Sequence, residues 1–297
     1  MTAREEGFLL LTSHLGDPNR RPLTTAQARA LAQRVANAPR SGEDRDLESR
    51  DLTAMGYPLE MAEHIVALLE DGVLLKHYLR RGERLGCHPI SRVGEAYPQT
   101  IHNRLGLDAP GCLWVRGELE LLEKPAVALV GSRDLAPDNL AFAKEVGRQA
   151  ARQGFVLVSG NARGADRAAQ DSCLEAGGEV ISIVADELEK YKPRGHMLYV
   201  SEDGFDLPFS TQRALSRNRL IHCMGLRTFV AQSGYERGGT WNGTVKNLRF
   251  GWSPVYCFRD GSAASKLLQE MGAEGVNLVD LHDFSALELS YFRFFDQ

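Results

Sequence analysis

The sequence predicts an α/β fold: an extended Rossmann-like, doubly wound and mostly parallel sheet, with a small all-helical domain ahead of it. Three observations predict it. After Pro125 short apolar runs alternate with longer amphipathic ones, which is the rhythm of βαβ units. Several of those runs end in glycine-rich turns that lead into a helical pattern, as strand-to-helix junctions of parallel sheets do. Before residue 86, by contrast, the apolar spacing is helical.

Taken in order, residues 24–37 place Ala28, Leu31, Ala32 and Val35 on one helical face, with Thr24 and Thr25 available as N-cap. A second helical pattern covers residues 59–69, and the polar, charged stretch 39–51 between them reads as a loop. Candidate strands follow at 126–130, 155–158, 180–184, 198–201, 228–230 and 255–258. Helical stretches lie among them at 139–153, 165–175, 212–224 and 244–250. The expected units are a helical N-terminal domain over 1–86, a Rossmann domain over 87–282 and a helical tail over 283–297, rich in Phe, Leu and Tyr, that docks on the core.

Composition narrows the function classes. With 43% hydrophobic and 25% charged residues the 297-residue chain has the make-up of a globular protein. No apolar run reaches the roughly 18 residues of a membrane span, and the start is too short and acidic for a secretory signal, so a cytoplasmic protein is expected. Five scattered cysteines without a Cys-x-x-Cys pair read as reduced, mostly buried thiols. The formal charge of -4 argues against a uniformly basic DNA-coating surface. Any nucleic-acid site must therefore be built from a few placed arginines.

Three turns carry the candidate chemistry. Gly131-Ser132-Arg133 follows the first strand and offers a tight turn, a hydroxyl and a charge. After the second strand, Ser159, Gly160, Arg163, Gly164 and Asp166 form a loop whose two glycines would let the backbone approach an anion. Gly238-Gly239-Thr240 precedes the helical stretch after the strand ending at Val230. Glycine suits any strand-to-helix turn, so it is the combination that points to a phosphate cradle. None of the three has the P-loop or the dinucleotide spacing, which leaves ATP hydrolysis and NAD binding unsupported. A fourth element, Arg217-Asn218-Arg219, lies in a predicted helix where Arg213 and Arg217 share a face and Arg219 points elsewhere.

In this order the motifs resemble the DprA/Smf family, also called DNA-processing protein A. Gly131-Ser132-Arg133 is similar to the family's GSR turn, Ser159-Gly160-x-Ala162-x-Gly164-x-Asp166 to its SGxAxGxD loop, Ser201-Glu202 to its SE pair, and Arg217-Asn218-Arg219-x-Ile221 to its RNR segment. Tyr97-Pro98, the stretch from Asp108 to Pro110, and Leu113-Trp114-Val115-Arg116-Gly117 resemble the lead-in to that fold. The resemblance implies a protein that binds single-stranded DNA without catalysing a reaction, protects it, and passes it to the recombinase RecA in transformation or repair. Arg133, Arg217 and Arg219 would contact phosphates, the loops at Gly160 to Gly164 and Gly238 to Thr240 would cradle one, and Phe209, Tyr235 or Trp241 would stack on bases. A homodimer stays open.

The sequence also departs from the family pattern. Ala169-Gln170 stands where Ala-His is usual, Arg237-Gly238-Gly239-Thr240 replaces the serine-rich loop, Phe258-Arg259-Asp260-Gly261 replaces the Pro-Gly that often ends the last strand, and residues after 282 are too few for a C-terminal winged helix. A second reading comes from Gly238-Gly239-Thr240, which approaches the Gly-Gly-x-Gly-Thr loop of the Lonely-guy nucleoside-monophosphate hydrolases. There Glu236 would act as acid/base and Arg133 as phosphate anchor, although the glutamate expected after the Gly-Thr is Lys246 or missing. No cofactor or metal is expected, because the histidines, among them His77, His88, His102, His196 and His222, lack ligand spacing and read as isolated polar or core residues.

Overall fold

Strands covered by helices on both faces are nearly continuous apolar runs, and the central strands here are, with Ser159, Ser182 and Thr228 as buried polar exceptions. In the computed structural model, which describes residues 1–38 and 46–287, the elements run in chain order. The N-terminal helices are α1 (Ala3–Thr12), α2 (Thr25–Asn37), α3 (Ser49–Ala54), α4 (Leu59–Glu70) and α5 (Gly72–Arg84). There follow β1 (His88–Ser91), α6 (Gln99–Leu105), β2 (Cys112–Gly117), β3 (Ala126–Val130), α7 (Pro137–Arg152), β4 (Val156–Ser159), α8 (Ala165–Glu175), β5 (Val180–Val184) and β6 (Met197–Glu202). The chain continues through α9 (Thr211–Met224), β7 (Thr228–Val230), α10 (Gly238–Phe250), β8 (Val255–Phe258), α11 (Ala263–Glu270) and β9 (Glu274–Val276).

The nine strands among the described residues form one sheet in the order β1-β2-β6-β5-β4-β3-β7-β8-β9. All neighbours pair in parallel except β1 with β2 and β2 with β6. Period-two alternation then splits the core: Val127 and Leu129 of β3 face α7 and α8, whereas Ala126, Ala128 and Val130 face α9 and α10. This is the predicted α/β fold. The cysteines are free and buried, and no helix among the described residues is long and apolar enough to cross a membrane.

Several boundaries differ from the sequence reading. Residues 39–45 lie outside the described part, but the end of the expected loop is helical: α3 forms because Leu52 inserts fully into a small core with Leu23, Leu31, Ile65 and Leu68. Strands β1, β2 and β9 were not anticipated, since β1 contains a proline and β9 is three residues long with a central glycine. Proline is tolerated in β1 because β1 is an edge strand. Helix α10 starts at Gly238 and not at 244, so Gly238-Gly239-Thr240 is its first turn. The chain from β5 to β6 crosses with a single short 3-10 turn, Leu188–Lys190.

The helical N-terminus shares a core with the sheet as well as having its own. Leu9 and Leu10 of α1 and Leu75 and Tyr78 of α5 join the cluster that includes Trp114 of β2, where Tyr78, Trp114 and Phe205 pack ring against ring at 4.7–5.2 Å. Of the expected helical tail, residues 288–297 lie outside the described part. Phe284 is fully buried, 4.8 Å ring to ring from Phe229, so the stretch leading there is docked on the core.

Candidate functional site

Parallel sheets place ligands outside the carboxyl ends of the strands where the strand order reverses. Here that point is β3: the chain leaves it through α7 to β4 on one side, and β7 returns to its other side. A crevice of about 580 Å³ opens there. Its lining comes from the turn after β3, the loop after β4, one face of α9 and the first turn of α10.

The turn after β3 is held from two sides. Ser132 N–H and Oγ both donate to the Gln232 carbonyl after β7, at 2.9 and 3.2 Å, while the Ser132 carbonyl accepts from Ala165 N–H at 3.1 Å. Gly164, at φ 92°, is the N-cap of α8, and a side chain there would strike the carbonyls of Ser132 and Arg133. The two motifs thus interlock backbone to backbone. This leaves the Arg133 side chain exposed on the rim, opposite exposed Arg237 at the N-cap of α10, and neither has an ion-pair partner among the described residues.

The floor is built from α9. Arg217 is buried, and its Nη1 donates to the Ile183 carbonyl at the end of β5 at 2.7 Å. A Cβ at Gly160 would lie 1.5 Å from that same Nη1, so Gly160 is glycine to admit Arg217 and not a ligand. Asp166, also buried, accepts from Ala162 N–H at 3.2 Å, and burial pushes its carboxyl up from the usual range, with Arg217 the strongest opposing influence. Asn218 donates to the Gly239 carbonyl at 3.1 Å and ties α9 to the first turn of α10.

One turn further along α9, His222 is fully buried on the same floor. The Asn247 amide is oriented by Ser253 N–H, which donates to its Oδ1 at 2.8 Å; its Nδ2 therefore donates to His222 Nδ1 at 3.1 Å. Burial holds the imidazole pKa down to about 3, so the ring is neutral and carries its proton on Nε2. His222 Nε2 and Arg217 Nε are both buried donors without an acceptor among the described residues, as are Trp114 Nε1 and Arg116 Nε elsewhere in the fold.

The structure brings together Gly131, Ser132, Arg133, Asp166, Arg217, Asn218, Gly238, Gly239 and Thr240 of the residues singled out from sequence. Others sit elsewhere. Ser159 is buried and accepts from Gln170 at 2.6 Å. Arg163 points to solvent, paired with Asp134 at 2.8 Å. Arg219 pairs with buried Glu202 at 3.0 Å and lines a neighbouring cavity, and Arg213 donates to Ser201 Oγ and the Leu207 carbonyl. Of the three aromatic candidates Phe209 lines the crevice and is 55% exposed, whereas Trp241 is buried. His222 and Arg237 escaped the sequence reading as site residues; only the side-by-side placement of α9 and α10 reveals them.

Residues 88–279 match the family described as DNA recombination-mediator protein A. The sequence is 36% identical over 89 residues to the DNA processing protein DprA of Streptococcus pneumoniae, covering 30% of this chain and 31% of that protein. It is 28% identical over 162 residues to the protein Smf of Escherichia coli, covering 51% and 43%. The chain thus spans less than half the length of these relatives. The X-ray structure of Streptococcus pneumoniae DprA superposes with a TM-score of 0.70 at 23% identity, over 90% of this chain and 94% of that one. The Helicobacter pylori DprA structure, described as giving insights into that protein's single-stranded DNA binding mode, superposes with a TM-score of 0.55 at 22% identity, over 66% and 94%.

Proposed function

This chain belongs to the DNA recombination-mediator protein A family, and from that premise and the crevice at β3 we propose that it is a DNA-processing protein that binds single-stranded DNA. The observation that carries the reading is the crevice's donor set. Two rim arginines, Arg133 and Arg237, without ion-pair partners among the described residues, stand over a floor whose buried Arg217 Nε–H and His222 Nε2–H have no acceptor among those residues. The first-turn N–H groups of α10 add the positive end of a helix dipole at the same place. Phosphate oxygens are acceptors of this kind, and exposed Phe209 offers a base a flat apolar face. Gly160 serves this site by admitting Arg217, Gly164 by its fit against the Ser132-Arg133 backbone and Ser159 by accepting from Gln170 of α8, while Arg163 and Arg219 would join it as outer contacts of the strand.

By the same reading the protein acts without catalysis in the cytoplasm, and its finer role is delivery of the strand to RecA, as a monomer or homodimer. Hydrolysis of a nucleoside monophosphate fits less well. Its acid/base would be Glu236, which does not line the crevice; of the carboxylates that do, Asp134 is exposed and engaged by Arg163, and Asp166 is buried.

The test is fluorescence-polarisation binding of oligo-dT and of its duplex over a salt series. Preference for the single strand with a steep salt dependence is expected. Arg133→Ala should weaken binding to every sequence about three- to tenfold and reduce the slope of log affinity against log salt by about 0.7, the share of one phosphate contact on a single strand. An unchanged slope would remove Arg133 from the interface, and release of free base from a nucleoside monophosphate would favour the hydrolase.

A further inference from the structure

A second cavity, about 1090 Å³ in volume, lies between the N-terminal helices and the β1/β2 edge of the sheet. Five arginines stand in its walls, and they divide into two kinds. Arg20 and Arg92 belong to the fold: Arg20 is buried, paired with Asp71 at 2.9 Å and donating to the carbonyls of Leu10 and Leu68, and Arg92 donates to those of Gly106, Leu107 and Ala109. Arg4 of α1, Arg21 ahead of α2 and Arg29 of α2 are exposed, and their guanidinium groups have no bonded partner among the described residues. Among the described residues Asp203 is the one carboxylate in the lining. A concave wall with such an excess of cationic groups focuses positive potential in a chain whose net charge is -4.

The register of the sheet places this cavity. Ser91 pairs with Cys112 in β1/β2, and Leu113 pairs with Glu202 in β2/β6, so the end of β1 and the start of β2 lie at the carboxyl end of β6. The strands β6, β5, β4, β3 and β7 are parallel, and their carboxyl ends form one edge. The crevice and the second cavity therefore open along the same edge, with β4, β5 and β6 between β3 and β2. Four interstrand steps make that separation about 19 Å.

We propose that the second cavity is a distal phosphodiester site, which takes the continuation of a single DNA strand whose first segment lies in the crevice. The proposal rests on the single-stranded DNA reading of the crevice. It gives the N-terminal helices a binding role, with Arg4, Arg21 and Arg29 as phosphate contacts.

The experiment compares two labelled oligo-dT strands, one of about 6 and one of about 20 nucleotides, within and beyond the span of one small binding module. They are titrated into the full chain and into the triple variant Arg4→Ala/Arg21→Ala/Arg29→Ala. The triple variant is expected to bind the long strand about ten- to thirtyfold more weakly at low salt, with its salt slope reduced by about 2, while the short strand binds as before. The corresponding triple lysine variant should keep most of the affinity. Unchanged affinity and slope for the long strand would overturn the distal site and leave the crevice untouched. An equal loss for both lengths would also overturn it, because the arginines would then act through the whole fold. Failure of the unaltered protein to bind either strand would overturn the crevice reading, and the distal site with it.

Discussion

Replacing Arg217 with methionine should cost about 3 kcal/mol of stability, because it leaves a buried carbonyl without its donor and a buried carboxyl without the cation that acts most strongly on it, and should abolish single-strand binding. Methionine keeps most of the volume but deletes the donor to the Ile183 carbonyl at the end of β5. It also removes the cation that acts most strongly on Asp166, whose carboxyl burial already pushes up. Asp166 must then either stay charged in a dry site or take up a proton. Urea unfolding at neutral pH reads the loss as a lower midpoint with an unchanged slope. Adding Asp166→Asn should recover about 1–3 kcal/mol, because the amide oxygen can still accept from Ala162 while the unbalanced charge is gone. Stability restored in the double variant without restored DNA binding separates the two roles of Arg217. Gly160→Ala tests the same contact from the other side: its Cβ would sit on the guanidinium, so Arg217 must move, and a loss approaching that of Arg217→Met is expected. A neutral Gly160→Ala would mean that Arg217 is not held as described.

How much of this was legible beforehand depends on the kind of signal. The core strands and α7, α8 and α9 could be read closely because their apolar runs are uninterrupted and their helices amphipathic. Strands β1 and β9 gave no such signal, since each is short and held at the sheet edge by its neighbour more than by its own residues. The glycine motifs announced a site, but the sequence assigned their glycines to an incoming anion. The structure assigns Gly160 to Arg217, and Gly164 to the Ser132-Arg133 backbone. The arginine pattern was legible only as spacing. Positions 213, 217 and 219 look alike along the helix, yet one anchors the loop before α9, one forms the floor and one pairs with Glu202. Exposed or buried, paired or unpaired: those properties are set by the partner element, which the helix's own sequence does not contain.

His222 makes the last of these points measurable. Its folded pKa, near 3, lies below the ordinary value of 6.5, and burial is the cause. A depressed folded pKa means that below pH 6.5 the unfolded chain binds a proton that the folded one refuses. The contribution of His222 is then fully present above pH 6.5 and is lost as the pH falls towards 3, at about 1.4 kcal/mol per unit. Urea midpoints taken from neutral pH down to about pH 5 should fall accordingly, and His222→Met should flatten that slope while lowering the neutral-pH stability by about 1 kcal/mol, since Asn247 Nδ2 loses one of its two acceptors and keeps Ser253 Oγ. Parallel slopes for both proteins would show that His222 titrates freely. DNA binding should respond differently. While the protein stays folded, the imidazole stays neutral and keeps its Nε2 proton, so the donor offered to a phosphate does not change between pH 5.5 and 7.5. Affinity should be flat over that interval in the unaltered protein even as its stability declines, and weaker throughout in His222→Met. An affinity that rose as the pH fell would mean that the ring charges in the bound state, and that burial does not hold it neutral.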